Sequence, residues 1–249
     1  MNNILLIGKN SFIAKNFIYD FKDKLKIFYF DKTFRKNKKF LFEKDLEKIV
    51  KKYKIRIILN FAANNDNSFS SNFSEILEAN FYLPLSILKI SNKHRIKLFL
   101  FLSKNMIENK KSKNFYALSK EMLKVYLLSK ENNCKLRLLN IDSIFGPYDL
   151  NNRRIFPSIF KHLYQKKKKN FNLNQVKNFT FVKDLNKNIF KLLSHNDKFI
   201  YKEIKSNKIN LKKLYKILKS SNLDRIINKT QYQALFLTLE WYKKYYGKK

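Results

Sequence analysis

Short apolar runs alternate with longer stretches of helical spacing over the first 150 residues, and this rhythm restricts the fold more than any other feature. "NILLIG" (3–8), "LKIFYFD" (25–31), "IRIILNFAA" (55–63), "IKLFLFLS" (96–103) and "KLRLLNI" (135–141) are nearly continuous apolar runs of strand length. Between them lie "SFIAKNFIYDFK" (11–22), "EKDLEKIVKKYK" (43–54), "SEILEANFYLPLSILKISNKH" (74–94) and "NFYALSKEMLKVYLLSKENN" (114–133), which read as helices. Pro84 falls inside the third of these and predicts a kink or an interruption. Strands apolar on both faces and separated by single helices belong to a parallel sheet covered on both sides. Right-handed crossovers then give an α/β fold with a doubly wound parallel sheet of Rossmann type.

After "FGPYD" (145–149) the rhythm changes to helices and irregular segments. "NFTFVKDLNKNIFKLL" (178–193) reads as a short strand entering a helix, and "NLKKLYKILKS" (210–220) and "QYQALFLTLEWYKKYY" (231–246) as two more helices. The expected organisation is a sheet domain over 1–150 and a small, mostly helical region over 151–249 that does not fold alone.

The formal net charge of +35 first suggests a nucleic-acid or anionic-membrane partner. The lysines are spread along the whole chain, however, and the sequence is rich in Asn, Ile, Phe and Tyr with only 3 Gly and 3 Pro. That joint bias fits the drift of an AT-rich genome and argues against nucleic acid. Attraction of an anionic substrate is the milder role for the charge. Cys134 is alone, which rules out an internal disulfide and a cysteine-rich metal site. His94, His162 and His195 have no metal-ligand spacing, so no metal is expected. Without a basic stretch ahead of the first apolar run, or an apolar run near the ~20 residues of a membrane span, the expectation is a cytoplasmic protein that does not enter a membrane.

The opening turn, "ILLIGKNSFIAKNF", has the outline of a dinucleotide-binding strand-turn-helix with one glycine where three are usual. Spacing puts the three glycine roles on Gly8, Ser11 and Ala14. The helix N-terminus offers its N–H groups to an anion whatever the side chains are. Asp31 ends the second strand 23 residues after Gly8, near the spacing of the acid that holds the adenosine ribose. An acid there favours NAD over NADP, while Lys32 and Arg35 keep NADP open.

Tyr116 and Lys120 in "FYALSKEM" are four apart on a helix that opens after the fourth strand, at the sheet edge where ligands bind. A phenol is a poor acid or base at neutral pH, and an ammonium one turn away favours its ionised form. Ser103, at the end of the fourth strand, can hold a substrate oxygen beside Tyr116.

These motifs, in this order over residues 3–193, resemble the extended short-chain dehydrogenase/reductase superfamily, specifically the NAD-dependent epimerase/dehydratase family acting on nucleotide sugars. The resemblance implies that 1–150 binds the dinucleotide and 151–249 the substrate. It implies catalysis by Tyr116, Lys120 and Ser103, with Tyr116 as acid/base and Lys120 binding the nicotinamide ribose and lowering the phenol pKa. Cofactor residues would be Gly8, Asn10, Ser11, Phe12, Ile13, Asp31, Asp45, Leu46, Phe61, Ala62, Ala63, Asn80 and Lys120. Asn64, Asn105, Arg153 and Arg154 would meet the substrate, and Lys166 to Lys169 are further anchors for its diphosphate.

The chain departs from the family's pattern at three points. Leu102 and Lys104 flank Ser103 where a second hydroxyl is usual, and a one-residue shift of register would put Lys104 in the hydroxyl's place. "SKNM" lacks the acids of the 4,6-dehydratases, and Asn178 stands where the family often has a diphosphate-binding arginine. The expected activity is NAD(P)-dependent hydride transfer at sugar C4, as a deoxysugar 4-ketoreductase. A 4-epimerase and a non-catalytic dinucleotide or sugar-nucleotide binder are the alternatives. A homodimer packed through the helices at 74–94 and 114–133 is usual in the resembled family.

Overall fold

The computed structural model describes residues 2–65, 72–104, 115–165, 172–219 and 230–247. Six strands form one parallel sheet: β1 (Ile4–Ile7), β2 (Ile27–Phe30), β3 (Ile57–Asn60), β4 (Lys97–Ser103), β5 (Leu136–Ile141) and β8 (Phe199–Glu203). Their order is β2-β1-β3-β4-β5-β8, with every neighbouring pair parallel. The winding reverses between β1 and β3, and the carboxyl ends of these strands are where an open α/β sheet receives ligands.

The strands alternate between two cores. Ile4 and Leu6 of β1 face one side, with α1 (Phe12–Phe21), α6 (Ile155–Gln165), α7 (Val182–Ser194), α8 (Leu211–Lys219) and α9 (Thr230–Tyr246). Leu5 and Ile7 face the other, with α2 (Lys39–Lys52), α4 (Leu83–His94) and α5 (Phe115–Leu128). Because consecutive strand residues point to opposite faces and both faces are covered, the strands read as unbroken apolar runs.

The predicted helix over 74–94 comprises α3 (Phe73–Leu77), a π-turn (Glu78–Tyr82) and α4. Pro84, in the first turn of α4, has no N–H for the carbonyl of Asn80 four residues back, and the wide turn just upstream accommodates that loss. Beyond β5 the chain adds β6 (Ser143–Phe145), β7 (Val176–Phe181) and β9 (Asn207–Asn210), which make a small sheet of order β6-β7-β9. It then returns β8 to the main sheet and packs α7 against α1. No described helix is long and apolar enough to cross a membrane.

Candidate active site

The carboxyl ends of β1, β3, β4 and β5 open into a cavity of about 1200 Å³, whose wall includes the segment between β6 and α6. Gly8, in the turn after β1, has φ +82°, and a Cβ there would lie 2.5 Å from the Ala62 nitrogen, so this turn and the chain leaving β3 touch backbone to backbone. A side chain at Gly8 fits neither the space nor the dihedral. Ser11, at φ −66°, needs no glycine-only conformation. Its hydroxyl caps α1 by accepting from the Ala14 amide at 3.2 Å. Ala14 is fully buried in the core between α1 and the sheet. Asn10, Phe12 and Ile13 border the cavity, and the amides at the start of α1 have no intrahelical acceptor.

Ser103, Tyr116 and Lys120 border the same cavity. Lys104 does not occupy the place of the hydroxyl. Its Nζ pairs with Glu203 Oε2 at 2.9 Å and donates to the Ile204 carbonyl, across the β5–β8 edge. Lys120 is buried, which pushes its ammonium down to about 8, and it donates to the Phe101 carbonyl of β4 at 3.2 Å. Its Nζ lies 5.9 Å from the centre of the Tyr116 ring. The Tyr116 phenol is pushed up by desolvation, and the positive charge that opposes this comes from Arg154. The expected lowering of the phenol by Lys120 is therefore not what this arrangement delivers.

Asn80, wholly buried in the π-turn, ties the site together. Its Oδ1 accepts from the Asn64 amide at 2.9 Å, and its Nδ2 donates to the Asn64 carbonyl at 2.8 Å and the Ser119 hydroxyl at 3.1 Å. Ser119 in turn donates to the Tyr116 carbonyl at 2.7 Å. One asparagine thus fixes the loop after β3 against the helix that carries Tyr116 and Lys120.

Phe61, Ala62 and Ala63 border the cavity beside the turn of Gly8. Asp31 ends β2 outside the cavity wall, with Lys9 Nζ 2.5 Å from its Oδ2. Asp45 is 3.4 Å from Lys32 Nζ, also outside the wall, and Leu46 is fully buried in the second core with no face to a ligand. Arg153 and Arg154 border the cavity. Asn105 and Lys166 to Lys169 lie outside the described residues. Sequence reasoning missed Asp142, Tyr148, Asp149 and Lys177, which the structure places in the wall. Lys177 bears on Asn178: the cavity takes Lys177 and Phe179 of β7, the residues on either side of Asn178, because neighbours on a strand face opposite ways. Among the described residues no cluster of His, Cys, Asp or Glu could hold a metal.

The model of the NAD-dependent epimerase/dehydratase family matches residues 4–205. The chain belongs to this family. No curated protein matches the sequence. Among solved structures, the UDP-glucose 4-epimerase of Thermotoga maritima is similar over 98% of this chain and 99% of its own, at 13% identity and a TM-score of 0.78. The dTDP-glucose 4,6-dehydratase of Streptomyces venezuelae matches over 98% of each chain at 14% identity and a TM-score of 0.76. The dTDP-4-dehydrorhamnose reductase of Bacillus anthracis covers 87% of this chain and 79% of its own at 16% identity and a TM-score of 0.67. At these identities the likeness establishes the fold.

As a member of the NAD-dependent epimerase/dehydratase family the protein is an NAD(P)-dependent enzyme of the extended short-chain dehydrogenase/reductase type. The residues present fit such a cofactor. The Gly8 position tolerates only glycine, Ser11 sits there without strain, and α1 begins at the cavity wall.

Proposed function

We propose that the protein is a nucleotide-sugar oxidoreductase acting at C4 of the sugar, as the 4-ketoreductase of a nucleotide-linked deoxysugar. The observation that carries the reading is the meeting of Ser103, Tyr116 and Lys120 in one cavity with the start of α1. When bound, the reduced nicotinamide supplies the hydride. Tyr116 gives its proton to the C4 oxygen as the ketone becomes an alcohol. Burial holds the phenol protonated at neutral pH, the form from which it can give a proton to the C4 oxygen. Ser103 holds the same oxygen. Lys120 holds the nicotinamide ribose while its bond to the Phe101 carbonyl fixes it to β4. Arg153 and Lys177, in the cavity wall, take the diphosphate of the substrate, Asn64 follows the wall residue Ala63 in sequence, and the positive charge of the whole chain draws the substrate in.

The test starts with calorimetric titration of cofactor-stripped protein with NADH and NADPH, followed by reduction assays on nucleotide-linked 4-ketosugars. The Tyr116→Phe variant is expected to keep dinucleotide binding and lose about 10²–10⁴-fold in turnover. Full activity of that variant, or no turnover by the wild type, sinks the reading in favour of a non-catalytic binder. A 4-epimerase shares the half-reaction, and product analysis separates the two: it would interconvert nucleotide sugars without net oxidation of NADH.

The helix face on α5 made by Leu118, Met122, Val125 and Leu128 is exposed and apolar, which supports a homodimer packed through this helix. Light scattering should give twice the chain mass for the wild type and a monomer for Val125→Glu.

A further inference from the structure

Arg154 is placed differently from what a substrate residue would require. Its guanidinium lies 4.7 Å from the centre of the Phe12 ring, and Phe12 is the first residue of α1, in the turn that serves the dinucleotide. A buried carboxylate fixes it there. Asp149 Oδ2 accepts from Arg154 Nη1 at 2.9 Å, with the Asp149 side chain 4% exposed and that of Arg154 27%. The backbone carbonyl of Asp149 in turn accepts from the Tyr242 hydroxyl of α9. Tyr242 is fully buried and stacks on Phe160 at 4.3 Å, so the support is rigid. Arg153, the neighbouring cation in the same wall, is exposed.

We propose that Arg154 clamps the pyrophosphate of the bound dinucleotide against the start of α1, and is not a substrate anchor. The inference rests on the dinucleotide reading above and adds a residue to it. The turn has lost its second and third glycines, and the Ser11 hydroxyl, which accepts from the Ala14 amide, adds only its own O–H as a donor. Beside that O–H, the turn offers an anion the backbone N–H groups opening α1. A guanidinium has five donors in a planar fork. Asp149 engages one edge of that fork and Phe12 lies against one face. Another edge suits a phosphate oxygen pair, the bidentate geometry in which arginine is strongest. Asp149 and Tyr242 are positioning residues: they hold the fork at the α1 end of the cavity.

The experiment measures the affinity of the full-length wild type and of the Arg154→Met and Arg153→Met variants for four probes. NADH and ADP-ribose carry the dinucleotide pyrophosphate; UDP and dTDP carry the nucleotide-diphosphate of a substrate. Arg154→Met should weaken NADH and ADP-ribose by about 10–100-fold, the loss of a hydrogen-bonded charge contact. UDP and dTDP should be little affected, and Arg153→Met should leave NADH binding unchanged. Melting curves accompany each titration, so that a variant with an unaltered Tm reports on the contact alone. Unchanged NADH affinity in Arg154→Met overturns the proposal. So does a loss confined to UDP and dTDP, which returns the arginine to the substrate. An equal loss in both variants also overturns it, because that reports the general charge of the cavity. If the wild type itself fails to bind NADH, the dinucleotide reading falls and takes this proposal with it.

Discussion

Gly8 and Tyr116 show two ways in which a single residue commits the site. At Gly8 the requirement is steric. Alanine would carry a positive φ and a Cβ against the Ala62 backbone, a strain of about 1–3 kcal/mol before any clash is counted. Gly8→Ala should therefore lower Tm, by about 2–4 °C for each kcal/mol in a chain of this size, and abolish NADH binding; calorimetry checks both. At Tyr116 the requirement is electrostatic, and here sequence reasoning reached only half the answer. The Tyr116–Lys120 spacing marks two side chains that do reach one cavity, because four residues along a helix bring them to one face. Which charge acts on the phenol depends on where the segment after β6 crosses the sheet, and spacing along α5 contains nothing about that. Arg154, Asp149 and Lys177 come to the site from distant parts of the chain, so their placement is a property of the tertiary structure. Leu46 shows the converse: its neighbourhood in sequence resembles the family's, and its side chain goes to the core.

At the scale of elements, five of the six strands of the main sheet are legible as apolar runs, the half-exposed β2 among them. β8, a half-exposed edge strand of sequence "FIYKE", carries an apolar run of only three residues, and its pairing with β5 identifies it. The far end of the sheet carries a device the periodicity also hides. Lys97 on β4 donates to the Leu193 carbonyl, and Arg137 on β5 donates to the carbonyls of His195 at 2.8 Å and Asp197 at 2.7 Å. Two buried cations thus serve carbonyls at the end of α7 and in the loop that follows it. Burial, reinforced by the charges of Arg137 and Lys135, pushes Lys97 down to about 8. From about pH 8 upward the unfolded chain then binds a proton that the folded one has released, so stability rises with pH through this window. Lys120 acts in the same sense. Above the ordinary tyrosine range the phenols of Tyr116 and Tyr242, held up by burial, reverse the trend. Denaturant midpoints should climb between pH 8 and pH 10, and Lys97→Met should flatten that climb.

For the whole molecule the governing quantity is the net charge of +35. Self-repulsion of this size works against the compact state, and ions screen it over about 10 Å at 0.1 M salt. Raising NaCl from low to physiological strength and beyond should increase Tm steadily, in scanning fluorimetry at fixed pH; a flat profile would show that the local ion pairs already neutralise the field. The same molecule-wide view gives the bond from Tyr242 to the Asp149 carbonyl a meaning in time. The family pattern ends at residue 205, and by then every strand of the main sheet has been made. A nascent chain that has left the ribosome that far owns its sheet but has no Tyr242 to hold the Asp149–Arg154 pair in place. The hold on the Asp149–Arg154 pair therefore waits for translation to reach α9, and a ribosome stalled before it would leave both that pair and the core face shared with α8 and α9 unfinished.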